Sequence, residues 1–307
     1  MAMAQRDAKL EATHFNRGRA YNSRLAFVDL GHFRFHDAYD DAHLARGVME
    51  PGICGLLVPH GAMTPGLRVN GCSFAEGDGV FVQPGKELHV IMDGPQRWSG
   101  LLMNHADLAA IGGEAWLESP AAFFTLPALL EREPALRRLA RTLGMLAHDE
   151  PARISAGTMP DALVETMGRI VGRAVRPEAG EAAQSLALHR RVRIVADAED
   201  FLAAAMGRPI YTQEIAAALG VGQRLLTAAF SAVYGMSVHR YLLLRRLHLV
   251  RRSLMSPAGA STRIKTVALD HGFWHLGQFT RDYRAMFGET PTETLAGAHR
   301  ECRAALN

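Results

Sequence analysis

The sequence predicts an α+β chain in two parts: an N-terminal antiparallel β barrel or roll with accessory helices over residues 1–180, and an all-α domain over 187–307. Three observations carry that reading. Short apolar segments punctuated by Gly, Pro and Asn run from Leu25 to Met103, apolar spacings of three and four take over after Asn104, and one pattern returns 52 to 53 residues after its first occurrence. A length of 307 residues also accommodates about two domains.

The β segments are LAFVDLGHFRF, ICGLLVPHG, LRVNG, GVFVQPG, LHVIMDG and WSGLLMN. Their length, partial alternation and turn residues predict strands rather than helices. Gly77-Asp78-Gly79-Val80-Phe81-Val82-Gln83-Pro84-Gly85, followed by Glu87 and His89, resembles the strand, turn, strand segment of cupin-like barrels. A cupin metal site needs an early His-x-His followed by Glu; His32, His36 and His43 lack that spacing, so no metal or other cofactor is expected. Phe81 and Trp98 are expected on the inward face, with His89, as contacts for a small ligand, the alternatives being a filled barrel that dimerises and a structural or exposed His89.

Asn104-His105-Ala106-Asp107 reads as a capped helix start. Helices follow over about Glu133–Leu146, opened by Pro134 and striped by Leu136, Leu139, Leu143 and Leu146, and over Met159–Val175. Bracing the barrel and forming a subunit contact are both open to them. Arg176–Glu181 is the linker candidate, and a further helix is predicted over about Ala183–Met206.

The N-terminal MAMAQRDAKL has no apolar core of a signal peptide, and no run reaches the roughly 18 apolar residues that span a bilayer. A cytoplasmic location with no membrane partner is the expectation. Cys54, Cys72 and Cys302 are too few and scattered for a disulfide scaffold or a zinc finger, and Cys54, in a β segment without a cationic neighbour, is expected to be buried and inert. No phosphate-binding glycine loop is present. The net charge of +3 is uneven: residues 187–307 carry +7 and residues 1–186 carry −4. Within 208–288, 11 basic residues face 3 acidic ones, a bias that attracts a polyanion.

The decisive pattern begins at Thr212. TQEIAAALGVGQRLLTAAF has the order of a helix-turn-helix: Thr212 at the cap, Glu214 in the first turn, Gly220 at the turn, and Ile215, Ala216, Leu219, Val221, Leu226 and Phe230 along a packed seam. The second helix, Gln223–Tyr234, exposes Gln223, Arg224, Thr227, Ala228 and Ser231 as candidate DNA contacts. The pattern returns: Ile215-Ala216 matches Val267-Ala268, Gly220 matches Gly272, Val221 matches Phe273, Leu226 matches Phe279, Phe230 matches Tyr283, and Tyr234-Gly235 matches Phe287-Gly288. The second unit ends in a helix over about Leu276–Met286 that exposes His275, Gln278, Arg281 and Arg284. The two units cover about 205–254 and 260–296, with Ser237 and Thr290-Pro291 opening the helices that follow.

Between them, Val238–Met255 predicts an 18-residue linker helix about 27 Å long. It could set the two exposed helices near the roughly 34 Å repeat of duplex DNA. Its Arg245, Arg246, Arg251 and Arg252 are candidate phosphate contacts, or else solvate the helix or pair with the few acids nearby.

GVGQRLLTAAF, YGMSVHRYLLLRRLHLVRRSL and VALDHGFWHLGQFTRDYRAMFGETPTETL resemble, in order and spacing, the DNA-binding domain of the AraC/XylS family of bacterial transcription regulators, over about residues 205–296. The resemblance implies seven helices with a central linker helix, double-stranded promoter DNA and RNA polymerase as partners, and an N-terminal domain that binds a small effector or forms a homodimer. It puts the recognition helices on Gln223–Tyr234 and Leu276–Met286, with Arg246 and Leu247 at the linker's signature positions. Gly222 and Gly277 stand where family members commonly have serine, and Ala228 and Ala229 where polar residues are common, which leaves Arg224 as the first helix's only guanidinium. The reading is therefore a non-enzymatic transcription activator or other regulator. A nucleoid-type binder and a cupin-like enzyme joined to a DNA-binding domain are the alternatives.

Overall fold

In the computed structural model, residues 8–14, 21–31, 33–60, 67–118, 122–149, 159–173, 186–205, 208–256 and 263–305 are described. The first half of the chain forms β1 (Ala8–His14), β2 (Ser23–Asp29), β3 (Phe33–Asp40), β4 (His43–Met49), β5 (Ile53–His60), β6 (Arg68–Val69), β7 (Cys72–Ser73), β8 (Gly79–Val82), β9 (Glu87–Met92), β10 (Gln96–Asn104) and β11 (Phe123–Leu126). They lie in two sheets, ordered β1-β4-β9-β6-β7 and β11-β8-β5-β10-β3-β2, with antiparallel pairing among β2 to β11. Gly31, at φ +81°, turns β2 into β3, a conformation that strains any residue with a Cβ. All six segments singled out in the sequence become strands, whereas β1, β4, β7 and β11 were not anticipated.

Strand alternation divides the apolar side chains between two layers. Val80 and Val82 join Met49, Val69, Leu88 and Leu102 in a cluster shared by the two sheets. Phe81, Phe35, Leu56 and Leu101 point the other way, to the helices. Those are α1 (His105–Ala110), α2 (Glu114–Leu117), α3 (Leu129–Arg132), α4 (Pro134–Asp149) and α5 (Met159–Arg173). The Asn104 side chain caps α1, accepting from the Asp107 N–H at 2.8 Å. Leu136, Ala140 and Leu143 of α4 and Leu163, Met167 and Ile170 of α5 pack on the six-stranded sheet, so their apolar stripes are filled within the chain.

The chain divides into two units, Asn22–Ala187 with Met1–Ala12, and Leu188–Asn307 with Thr13–Tyr21. The linker candidate Arg176–Glu181 lies outside the described residues. The second unit is helical: α6 (Leu186–Ala204), α7 (Thr212–Ala218), α8 (Gln223–Tyr234), α9 (Val238–Met255), α10 (Ile264–Asp270), α11 (Leu276–Phe287) and α12 (Pro291–Ala305). Buried Glu199 of α6 accepts from the hydroxyls of Tyr234 at 2.8 Å and Tyr241 at 2.7 Å, tying α8 and α9 to α6. Thr290 opens α12 with a capping box: its N–H donates to Glu293 Oε2 at 2.6 Å and its Oγ1 accepts from the Glu293 N–H at 3.3 Å. Among the described residues no single helix is long and apolar enough to cross a membrane.

Candidate nucleic-acid interface

The first helix pair owes its geometry to one glycine. Gly220 adopts φ +63°, and α7 and α8 bend by 102° about the turn. Ile215, Ala216, Leu226, Ala229 and Phe230 are buried along the seam. With that side committed, Gln223, Arg224, Thr227, Ala228 and Ser231 all stand exposed on α8. The expected cap is corrected by one position: Tyr211 precedes the helix and Thr212 is its first residue. Glu214 supplies the cap, accepting from the Tyr211 N–H at 3.1 Å and from Arg208 Nη1 at 2.7 Å, and both bonds hold its carboxyl below the usual range, Arg208 more strongly.

The second pair repeats this with Gly272 at φ +79°. Val267, Ala268, Phe273, Phe279, Tyr283 and Met286 are buried, while His275, Gln278, Arg281 and Arg284 are exposed. Arg281 Nη2 donates to Gln278 Oε1 at 3.0 Å, and Gln278 Nε2 donates to Asp282 Oδ1 at 2.7 Å, a chain that orients both candidate base readers. The two glycines at the helix starts are not equivalent. Gly222 is the N-cap of α8, whereas α11 has His275 at its N-cap and Gly277 as its second helical residue. Sequence reasoning missed Trp274. It is 67% exposed between the glycine turn and α11, a signal available in the motif once Phe273 was assigned to the seam.

The linker arginines divide. Arg246 lies with its guanidinium carbon 5.3 Å from the Phe273 ring centroid and 5.9 Å from that of Tyr211, and Nη1 donates to the Gly272 carbonyl at 3.4 Å. Arg251 pairs with Glu289 at 2.8 Å and covers the Phe287 ring at 4.7 Å. Arg245 donates to the Leu202 carbonyl at 2.5 Å. These three therefore have partners within the helical unit and are half-buried, whereas Arg252 is exposed.

The ligand contacts expected in the first unit are corrected by strand parity. Phe81 is fully buried, stacked on Phe124 at 4.9 Å and edge-on to Trp116 at 4.8 Å, on the opposite side of the sheet from Trp98. Trp98 is half-buried and donates Nε1–H to Asp40 Oδ2 at 2.8 Å. His89 is fully buried, its backbone N–H bonded to Asn70 Oδ1 at 2.7 Å and its Nε2 3.6 Å from Glu87. The three do not line a common pocket. Cys54 is buried, and burial pushes its thiol up to about 12. Among the described residues no group of three or more His, Cys, Asp or Glu is placed to hold a metal ion.

Two glycine turns, two buried seams and two exposed helices joined by α9 define a tandem helix-turn-helix domain. A family model described as a helix-turn-helix domain matches residues 215–297. The XylDLEGF operon transcriptional activator 2 of Pseudomonas putida is 36% identical over 95 residues, covering 31% of this chain and 60% of that protein. The probable thc operon regulatory protein of Rhodococcus erythropolis is 32% identical over 102 residues, covering 33% of this chain and 31% of its own length. Among solved structures, a probable AraC family transcriptional regulator from Rhodopseudomonas palustris is 36% identical and matches 34% of this chain and 97% of its own, with a TM-score of 0.32. The chain thus spans about 60% or less of the curated relatives named here. Its second unit carries a helix-turn-helix domain of the AraC/XylS type.

Proposed function

We propose that the chain is a sequence-specific transcription regulator that acts in the cytoplasm on double-stranded promoter DNA and answers to a small organic effector. The observation that carries the DNA reading is the exposure of a polar set on each second helix, Gln223, Arg224, Thr227 and Ser231 on α8 and His275, Gln278, Arg281 and Arg284 at α11, while the matched seam residues Ile215, Leu226, Phe230, Val267, Phe279 and Tyr283 are buried. Backbone amides at the helix starts and exposed arginines such as Arg252 hold phosphates, and Gln223, Arg224, Gln278 and Arg281 read base edges. The alanine face of α8 contributes apolar contact to thymine methyl groups or shape readout. Relatives named as operon activators support activation through RNA polymerase, and a homodimer fits paired half-sites. A catalytic role forms no part of this reading.

Footprinting the full chain on genomic fragments is the test. A few strong sites are expected, whereas uniform weak protection would favour a nucleoid-type binder. At a strong site Arg281→Ala should cost about 1–3 kcal/mol of discrimination at one base pair. An equal loss on every single-base variant would reassign Arg281 to phosphate.

A further inference from the structure

A cavity of about 450 Å³ opens at one end of the six-stranded sheet, lined by Asn22, Arg24, Asp37, Tyr39, Arg97 and His148. By contrast, the gap between that sheet and the helices over Leu56, Leu101 and Leu143 is only about 10 Å³, room for no organic molecule. Register explains why the six side chains meet. Arg24 pairs with Tyr39 across β2 and β3, and Tyr39 pairs with Arg97 across β3 and β10, so one cross-strand row holds a phenol between two guanidiniums. Asp37 lies two residues along β3 on the same face and is 2% exposed. It accepts from Arg97 Nη2 at 3.0 Å and Ser99 Oγ at 3.1 Å, and His148 Nε2, from the last turn of α4, stands 3.1 Å from it.

α4 passes this close because residue 144 is glycine. A Cβ there would stand 2.9 Å from Asp37 Oδ1 and 3.1 Å from Arg97 Nη2. Glycine inside a helix is less stable than alanine there, and the close approach over the acid accounts for its use. Asp37 balances one guanidinium. Arg24 is exposed and the Arg97 side chain remains 49% exposed, so the lining side chains keep one guanidinium in excess beside an aromatic ring, with Asp41 outside the lining and bonded to the Asn22 N–H at 2.9 Å.

We propose that this cavity binds a small organic monocarboxylate. Arg24 and the free nitrogens of Arg97 hold the carboxylate by charge-assisted hydrogen bonds, and the Tyr39 ring takes the apolar body. Asp37 is a positioning residue that aims Arg97 and His148, and a bound ligand joins β2, β10 and the end of α4. The inference rests on the effector-controlled reading for its purpose, though its chemistry stands without DNA.

The test is calorimetric titration of the full chain with hexanoate and phenylacetate, with the neutral amides of both, and with inorganic phosphate, all in the millimolar range. Saturable binding of at least one carboxylate is expected, with the matching amide weaker by about tenfold or more, and Arg24→Gln, an exposed change, should weaken the carboxylate by a similar factor. Gly144→Ala should weaken it too. Absence of saturable carboxylate binding, equal binding of the amide, full competition by phosphate, or unchanged affinity in Arg24→Gln would each overturn the proposal. Footprinting without ligand separates the two readings: DNA protection without carboxylate binding removes only the cavity, and carboxylate binding without protection removes only the DNA reading.

Discussion

Replacing Gly272 by alanine should destabilise the second helical pair by about 2–5 kcal/mol, while the same change at Gly220 should cost the first pair only about 1–2 kcal/mol. Both residues have positive φ, +79° and +63°, so the backbone penalty of about 1–2 kcal/mol is shared. The difference lies in what an added Cβ would meet. At Gly220 nothing stands within 4 Å, whereas at Gly272 the Cβ would lie 2.7 Å from Pro209 Cβ. That carbon belongs to a ring closed on the backbone and cannot rotate away, so overpacking adds about 1–3 kcal/mol. Native-state hydrogen exchange of the full chain, followed over 212–234 and 264–287, resolves each pair separately. Pro209→Gly should recover the steric part in the Gly272→Ala background but leave Gly220→Ala unchanged. Equal losses at the two glycines would refute the contact between the approach to α7 and the turn of the second pair.

Three further outcomes follow from the same geometry. Arg246→Ala, which removes two cation–π contacts and a hydrogen bond to the Gly272 carbonyl, should cost about 1–3 kcal/mol of affinity for a duplex carrying both half-sites but less for one carrying only the α8 half-site. Anisotropy with the two duplexes checks this, and equal losses would remove its role as a clamp between the units. Trp274, far more exposed than buried Trp116 or half-buried Trp98, should lose most of its acrylamide quenching when a strong-site duplex saturates the chain; footprinting without that protection would place it off the interface. His36 is held neutral by burial, with a smaller push from Arg34, and its pKa falls to about 4 from 6.5. Its contribution is complete above pH 6.5 and disappears as pH falls toward 4, a loss of about 3 kcal/mol. Urea midpoints of wild type and His36→Gln between pH 7 and 4.5 should diverge in slope; parallel slopes would exclude His36 as the group.

The helical half was readable to the residue in places because its signals are local. Gln223–Tyr234 and Val238–Met255 are helices over the ranges their apolar spacing and flanking Gly235 and Ser237 require, and α11 runs one residue past the expected Met286. The slip from Thr212 to Tyr211 has a local cause as well: Glu214 accepts from the N–H of the residue three before it, which puts Tyr211 at the N-cap and makes Thr212 the first helical residue. In the β half local signals mark segments but not all strands. HLARGVM interrupts its apolar rhythm with Arg46 and Gly47, and it becomes β4 because β9 pairs with it, Arg46 opposite His89. Alternation likewise showed that Phe81 opposes Val80 and Val82, but it carried no information on which side faces the helices.

Turn chemistry, seam periodicity and the repeated motif therefore belong to short stretches of chain, where a glycine's φ or a spacing of three and four acts within a few residues. Which strand face is covered, which arginines are drawn inward, and where a cavity opens depend on partners distant in sequence. Arg97 and His148 reach Asp37 across 60 and 111 residues, and Pro209 meets Gly272 only after α9 has brought the two helical pairs together. Burial and ion pairing are decided by everything packed around a side chain, so these features arise only once the sheets and helices have closed on one another.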